Sequence, residues 1–329
     1  MISAAGAVTL PQLQAGLEER LEAVQGEIGR IVTADLDLIT QVNAHLLRMQ
    51  GKLFRPTLLL LVNEATGAFD RRAPQLAAVV ELIHLATLVH DDSVDHSVLR
   101  RGMPTVNSLF SHQVSVIMGD YLYSRAVIEL IRLGDLEPLQ VLARVTNEMT
   151  IGEMRQLLAH DGLRYTEADY DQLIRSKTAS LLSGTAEVGA LRAAPAVRSA
   201  MARFGENLGM AFQIVDDLLD FTEPESVTGK PSGLDLKEHK ITLPLIHALP
   251  RMTDPQRQQV ARLMTTPEPS GEQIATVVSG VSEAGGLTYA RRRAQEFAAR
   301  AEAELDVLPS SSARETLRAS LTYVLDRKR

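Results

Sequence analysis

The chain has 329 residues, 45% of them hydrophobic and 23% charged, a formal net charge of −7 and no cysteine. Disulfides, thiolate metal sites and cysteine nucleophiles are therefore excluded, and the length allows a large core. The acidic balance argues against general nucleic-acid binding. The amino terminus lacks a basic region with an apolar run behind it, and no stretch reaches about 18 consecutive apolar residues. Neither a signal peptide nor a membrane span is expected, and the expected location is cytoplasmic. Abundant Leu, Ala, Glu and Arg with only 4% aromatics lean toward an all-helical fold.

Residues 10–48 read as two amphipathic helices, the first carrying Leu13, Leu17, Leu21 and Val24 at helical spacing. Residues 1–50 are expected to form an outer helical layer or dimer arm on a single domain spanning 1–329. Gly51-Lys52-Leu53-Phe54-Arg55-Pro56 follows. Pro56 suits the first turn of a helix, where its missing N–H is not needed. Lys52 and Arg55 flank that turn, so either a solvated cap or a phosphate pocket fits.

The next segment, from about Pro74 to Val98, is apolar nearly all round, the pattern of a helix buried inside a bundle. Its exceptions are Glu81, His84 and a terminal cluster of Asp91, Asp92 and Asp95. Asp91 and Asp95 are i, i+4 neighbours and gather on one rim, where like charges beside apolar surface repel. His84 stands two turns earlier on the same stripe; both a core histidine and a functional one fit. A hard divalent cation would make the rim favourable, and Mg²⁺ usually completes its shell with water and substrate phosphate. Arg100-Arg101-Gly102-Met103-Pro104-Thr105 then forms a basic turn in which arginine can grip phosphate bidentately.

Helices are expected over 112–132, with Gly119 allowing close approach, and over 136–161, interrupted by Gly152, Glu153 and Gln156. Thr166 to Asp169 reads as a capping box. Lys177-Thr178 follows in apolar surroundings, where the lysine either snorkels or meets an anion. The helix over 201–221 carries Gln213, Asp216, Asp217 and Asp220 at i, i+3, i+4 and i+7, an acidic stripe on an apolar helix. Two such acidic clusters suggest metal on opposite walls of a cavity, with a diphosphate between. A long Gly/Pro/charge-rich loop contains Lys230, Asp235, Lys237 and Lys240, and loops of that length are usually lids or disordered. The remainder is amphipathic helix with turns near 250–256, 265–271 and 308–312.

Six motifs now stand in order: GKxxRP (51–56), HxxxxxxDDxxD (84–95), RRGxPT (100–105), KT (177–178), FQxxDDxxD (212–220) and GKxxGxDLxxxKxTLP (229–244). Together they resemble the trans-isoprenyl diphosphate synthases of the polyprenyl synthetase family, over nearly the whole chain. The resemblance implies an all-α orthogonal helical bundle around a central cavity, usually a homodimer. Its reaction would be head-to-tail condensation of isopentenyl diphosphate with an allylic diphosphate by ionisation, condensation and elimination. By position, Asp91, Asp92 and Asp95 would hold two Mg²⁺ ions, and Asp216 with Asp217 and Asp220 a third, about three per site. Arg100, Lys177, Lys230 and Lys240 would grip the allylic diphosphate; Lys52, Arg55, His84 and Arg101 would hold isopentenyl diphosphate. Thr178 and Gln213 would face the developing carbocation. One departure stands out: His239 occupies a position before the last lysine that the family often gives to glycine, which tolerates φ > 0 better.

The resemblance also bears on product length, because in the family the chain grows along a tunnel beside the first aspartate helix. Ala86 and Thr87, five and four residues before Asp91, are small, and Ile83 forms the next layer one helical turn, about 5.4 Å, further on. A product of thirty carbons or longer is expected, with geranylgeranyl or farnesyl diphosphate as alternatives. A non-catalytic partner subunit and a class I terpene cyclase are rivals. The full set of aspartates, the paired arginines and GKLFRP argue against both.

Overall fold

The computed structural model describes residues 8–49, 51–158, 165–222 and 233–327. The described chain is an all-α bundle, as expected. The chain begins with α1 (Leu10–Gln14), α2 (Glu18–Ile31) and α3 (Asp37–Arg48). The single first helix expected from the leucine spacing is broken at Ala15–Gly16. Its leucines still point inward: Leu13, Leu17, Leu21 and Val24 are all buried.

Helix α4 (Phe54–Ala65) carries Pro56 in its first turn, and α5 (Ala73–Val94) runs through the core. By length and composition α5 could cross a membrane, but it is mostly buried and packs against α2, α4 and α7 (His112–Arg132). The helix ends at Val94, four residues short of the expected Val98. Ser97 N–H donates to the Asp92 carbonyl at 2.9 Å with His96 in the left-handed region, so the helix closes on an αL cap before the basic turn.

That basic turn is a β-hairpin, a feature periodicity did not predict. β1 (Leu99–Arg100) pairs antiparallel with β2 (Met103–Pro104), and Arg100 lies opposite Met103. The two loop residues, Arg101 and Gly102, both have positive φ (53° and 77°). This is the primed geometry that matches strand twist, with glycine at the second place.

After the short α6 (Val106–Leu109) and α7, α8 (Leu136–Leu158) and α9 (Glu167–Ile174) follow, the latter opened by the expected Thr166–Asp169 capping box. One π-helical turn, Arg175–Ala179, links α9 to α10 (Ser180–Gly189). Helix α11 (Pro195–Thr222) lies against α10 and that π turn. Gly209 makes the approach possible, since a Cβ there would sit 2.6 Å from Ala179 Cα. Beyond α11 come α12 (Leu234–Lys237), α13 (Leu243–Ala248), α14 (Asp254–Thr265), α15 (Gly271–Glu283), α16 (Gly286–Glu304) and α17 (Ser312–Leu325). A further break falls at Gly285, where φ is 78°, a turn that apolar periodicity does not mark. The main core joins α2, α4, α5, α7, α10, α11, α16 and α17, and a smaller cluster under α12–α15 centres on Leu245, Val260 and Val281.

Candidate active site

A cavity of about 390 Å³ lies between the π turn, α11 and the segment after α12. Its lining includes Lys177, Thr178, Gln213, Asp217, Asp235 and Lys240 on the polar side and Leu173, Ile174 and Ile241 on the apolar side. A π turn widens the helical repeat and is common at functional sites; here it carries both Lys177 and Thr178. Lys177 Nζ lies 2.7 Å from Glu153 and donates to Gln156 Oε1 at 3.2 Å. Two of the polar interruptions in α8 thus position this lysine.

The first acidic cluster ends α5. Asp92 is buried, and Arg100 Nε donates to both its oxygens at 2.8 Å, with Nη2 adding a 2.7 Å contact. The hairpin register aims Arg100 back at α5 in this way. Asp91 is half-buried; burial, then Glu153 and Asp95, push its carboxyl up to about 6 against the pull of Lys177 and Arg100. Asp95 is exposed and lies within the field of Lys240.

The second cluster lies on α11. Asp216 is exposed and pairs with Arg327 at 3.1 Å. Asp217 is buried and accepts from Tyr170 Oη at 2.6 Å and from Gln213 Nε2 at 2.8 Å. Asp220 accepts from the backbone N–H groups of Leu234 and Asp235 at 3.0 and 3.1 Å, so it caps α12. Burial and the neighbouring Asp220 push Asp235 up to about 7, with Asp216 and Glu238 adding to it and Lys240 opposing. Lys240 pairs with Glu238 at 2.7 Å. Among the described residues no three carboxylate or imidazole groups are placed to hold one ion by themselves. The donor set is nevertheless all hard oxygen. The raised Asp91 and Asp235 carry a charge penalty that a divalent cation with phosphate ligands would relieve, so the residues fit Mg²⁺.

A second, small pocket lies beside α5, lined by Gly51, Glu81, His84 and Arg101 among others. Arg101 Nη1 donates to the Met49 carbonyl at 2.9 Å, and its guanidinium lies over Gly51, where a Cβ would come within 2.7 Å of it. Arg55 is pushed down to about 10 by burial and by Arg101 and Arg327, with Glu81 opposing, and its Nε is buried without a hydrogen bond. Burial and then Arg55, Arg101 and Arg100 hold His84 well below its usual range, so its imidazole is neutral. Arg55 and Arg101 face one buried carboxylate, Glu81, so this pocket carries an excess of positive charge. Lys52 is exposed at its edge.

In the sequence Arg327 reads as part of a basic tail, yet its guanidinium stands 4.5 Å from the Phe212 ring centroid. Phe212 in turn stacks on Phe54, which meets Tyr323 of α17. Tyr170, an interior phenol seven residues before Lys177, was likewise missed. Four non-glycine residues among those described have positive φ: Leu53, His96, Arg101 and His239. Each sits in a loop that presents a charged motif, the usual place for backbone strain. His239, flagged as the departure from glycine, is held at φ 58° with its Nε2 2.9 Å from the Thr266 carbonyl. Ile83 and Ala86 are buried on α5, and Thr87 Oγ1 donates to the His84 carbonyl at 2.8 Å. Lys230 lies outside the described residues.

An all-α bundle with acidic motifs on two helices, and cations between them, defines a site for moving a diphosphate-bearing group. The family model described as polyprenyl synthetase matches residues 36–281, and the chain belongs to that family of prenyltransferases. It is 38% identical over 298 residues to the all-trans-nonaprenyl-diphosphate synthase (geranyl-diphosphate specific) of Rhodobacter capsulatus, covering 90% of this chain and 91% of that one. It is 36% identical to the octaprenyl diphosphate synthase of Escherichia coli K12, covering 90% and 92%. The crystal structure of a Caulobacter crescentus polyprenyl synthase complexed with calcium and isoprenyl diphosphate superposes with a TM-score of 0.92 at 30% identity, covering 99% and 100%.

Proposed function

We propose that the protein is an all-trans polyprenyl diphosphate synthase that adds isopentenyl diphosphate head to tail to an allylic diphosphate, repeatedly, to thirty carbons or more. The observation that carries this reading is that Lys240 stands between the two acidic clusters: it is acted on by Asp95 of the first and acts, with Asp216 and Asp220 of the second, on Asp235. Arg100, Lys177 and Lys240 grip the allylic diphosphate, with Arg100 steadied on Asp92 and its free Nη1 edge left for phosphate. Lys52, Arg55, Arg101 and the neutral His84 hold isopentenyl diphosphate.

Asp91 and Asp95 on one wall and Asp216 on the other would hold Mg²⁺, about three ions in this family. Bound Mg²⁺ supplies positive charge that stabilises the departing diphosphate. The fixed lysines and arginines act in the same sense and need no reorganisation as charge develops. As the allylic C–O bond breaks, its electron pair leaves with the diphosphate. Thr178 and Gln213 turn oxygen dipoles toward the carbon left positive, while Leu173 and Ile174 exclude water that would quench it. The isopentenyl double bond then attacks that carbon, and a proton lost to the released diphosphate restores an allylic product.

Product length is set at Ala86, Thr87 and Ile83 beside the growing chain. The exposed Ile117, Ile128 and Ile131 of α7 and Ile151 and Met154 of α8 are apolar surface of the kind a homodimer would cover. Incubation with isopentenyl diphosphate, Mg²⁺ and either geranyl or farnesyl diphosphate, read by mass spectrometry, tests the reading. A ladder ending at one long polyprenyl diphosphate is expected; no elongation by the folded protein with either primer overturns it.

A further inference from the structure

Three hydrogen bonds run in series from the floor of the main cavity to its wall. Tyr170 Oη donates to Asp217 Oδ2 at 2.6 Å. Gln213 Nε2 donates to Asp217 Oδ1 at 2.8 Å, and Thr178 Oγ1 donates to Gln213 Oε1 at 2.8 Å. Tyr170 is 2% exposed and Asp217 6%, so neither has ready recourse to water. The directions in this series are not interchangeable. Both Asp217 oxygens accept in this series, so the NH₂ of Gln213 faces Asp217 and its amide oxygen faces Thr178. The Thr178 proton is then spent inside the protein, and its remaining lone pairs are what it presents to the cavity that both residues line.

We propose that Tyr170 is a positioning residue for prenyl transfer: through Asp217 it fixes the Gln213 amide and turns the Thr178 lone pairs toward the carbon that becomes positive. This rests on the reading that Thr178 and Gln213 face the reacting allylic carbon. Asp217, although part of an acidic motif, has both oxygens taken by neutral donors, which makes it the anchor of this relay. The mount beneath Tyr170 is rigid. Helix α9 is closed at its start by the Thr166–Asp169 box. Tyr289 of α16 donates to both Glu167 oxygens at 2.8 and 2.7 Å, and Arg293 bridges Glu167 and Asp171 at 3.0 and 3.2 Å. With α9 so clamped, a phenylalanine at this position could not be replaced by a shifted neighbour. Asp217 Oδ2 would be left buried and unpaired, free to turn and release the amide.

The test is Tyr170→Phe, with Thr178→Val made alone and in that background. Tyr170→Phe is expected to lower kcat about tenfold, the scale of one hydrogen bond near a developing charge. KM for both diphosphates and the Mg²⁺ concentration for half-maximal rate should stay within about twofold, as befits an interaction felt only in the transition state. Thr178→Val should cost much less in the Tyr170→Phe background than in the wild type, because the two act as one unit. Calorimetric binding of a protonated-amine analogue of the allylic cation, with Mg²⁺ and pyrophosphate present, should weaken about tenfold in Tyr170→Phe. If Thr178→Val leaves kcat unchanged, the underlying reading of the cavity fails. If Thr178→Val is slow but Tyr170→Phe is not, the reading stands and the inference is overturned. A shifted Mg²⁺ dependence with the Thr178 effect retained also overturns it, since Tyr170 would then serve a metal ligand. Should Tyr170→Phe unfold the chain, Asp217→Leu tests the same relay: it removes both acceptor oxygens, so the Thr178 effect should again disappear, and a retained Thr178 effect overturns the inference.

Discussion

Asp91→Asn should make the metal-free protein more stable at neutral pH while crippling turnover. Asp91 sits in the last turn of α5, where unpaired carbonyls already make the field negative. Burial, Glu153 and Asp95 lift its carboxyl from 3.8 to about 6. The folded state therefore binds more protons than the unfolded state between those values. Stability contributed by this group falls as pH rises through that window and stays low above it. A displacement of roughly two pH units corresponds to ~3 kcal/mol at most. Because the group is only half-buried, solvent screening reduces this to about 1–3 kcal/mol. The amide carries no charge and escapes the penalty. Thermal unfolding in chelator, at matched protein concentration, should show Asp91→Asn melting about 2–6 °C above the wild type at pH 7.5. The difference should vanish below about pH 4. With Mg²⁺ and pyrophosphate added, the wild type should gain more than the variant, because only it has the carboxylate to share. A variant less stable than the wild type at pH 7.5 in chelator would refute the electrostatic account of this rim.

Gly51→Ala places a methyl within 2.7 Å of the Arg101 guanidinium, the far end of a flexible side chain, so the fold should tolerate it. KM for isopentenyl diphosphate should rise about tenfold with the melting temperature unchanged, since one charge-assisted contact is displaced; a KM at the wild-type value sinks the assignment of that pocket. Ala86→Phe adds bulk at a position 3% exposed, costing ~1–3 kcal/mol of stability by overpacking and shortening the product. An unchanged product distribution by mass spectrometry counts against the wall. His239→Gly relieves a left-handed backbone worth about 1–2 kcal/mol but removes the ring's contact to the Thr266 carbonyl. KM for the allylic diphosphate should rise while stability holds or improves, and a matching His239→Ala that behaves like the wild type would show the ring to be idle.

The difference between what was legible in the sequence and what was not follows from the range of the interactions. Helix identity, buried faces and the two acidic stripes depend on spacing within one helix, and Asp91, Asp95, Asp216 and Gln213 could be placed by counting along it. Partners that come from elsewhere in the chain could not. Nothing local tells Asp217 that it will meet Tyr170 across 47 positions, or Asp216 that Arg327 will reach it from the carboxyl terminus. The hairpin at Arg100–Met103 was missed for another reason: two residues per strand give no alternation to detect, and only Arg101-Gly102 hinted at a primed turn. His239 is the instructive intermediate. Its identity signalled a conflict with positive φ, and the structure realises that conflict at φ 58°. A residue that breaks a local rule is informative because something non-local must hold it there, and here that is the Thr266 carbonyl. Leu53, His96 and Arg101 are left-handed at the edges of the GKLFRP, aspartate and paired-arginine motifs, where His96 closes a helix and Arg101 turns a hairpin, so the backbone bends sharply wherever a charged motif is presented.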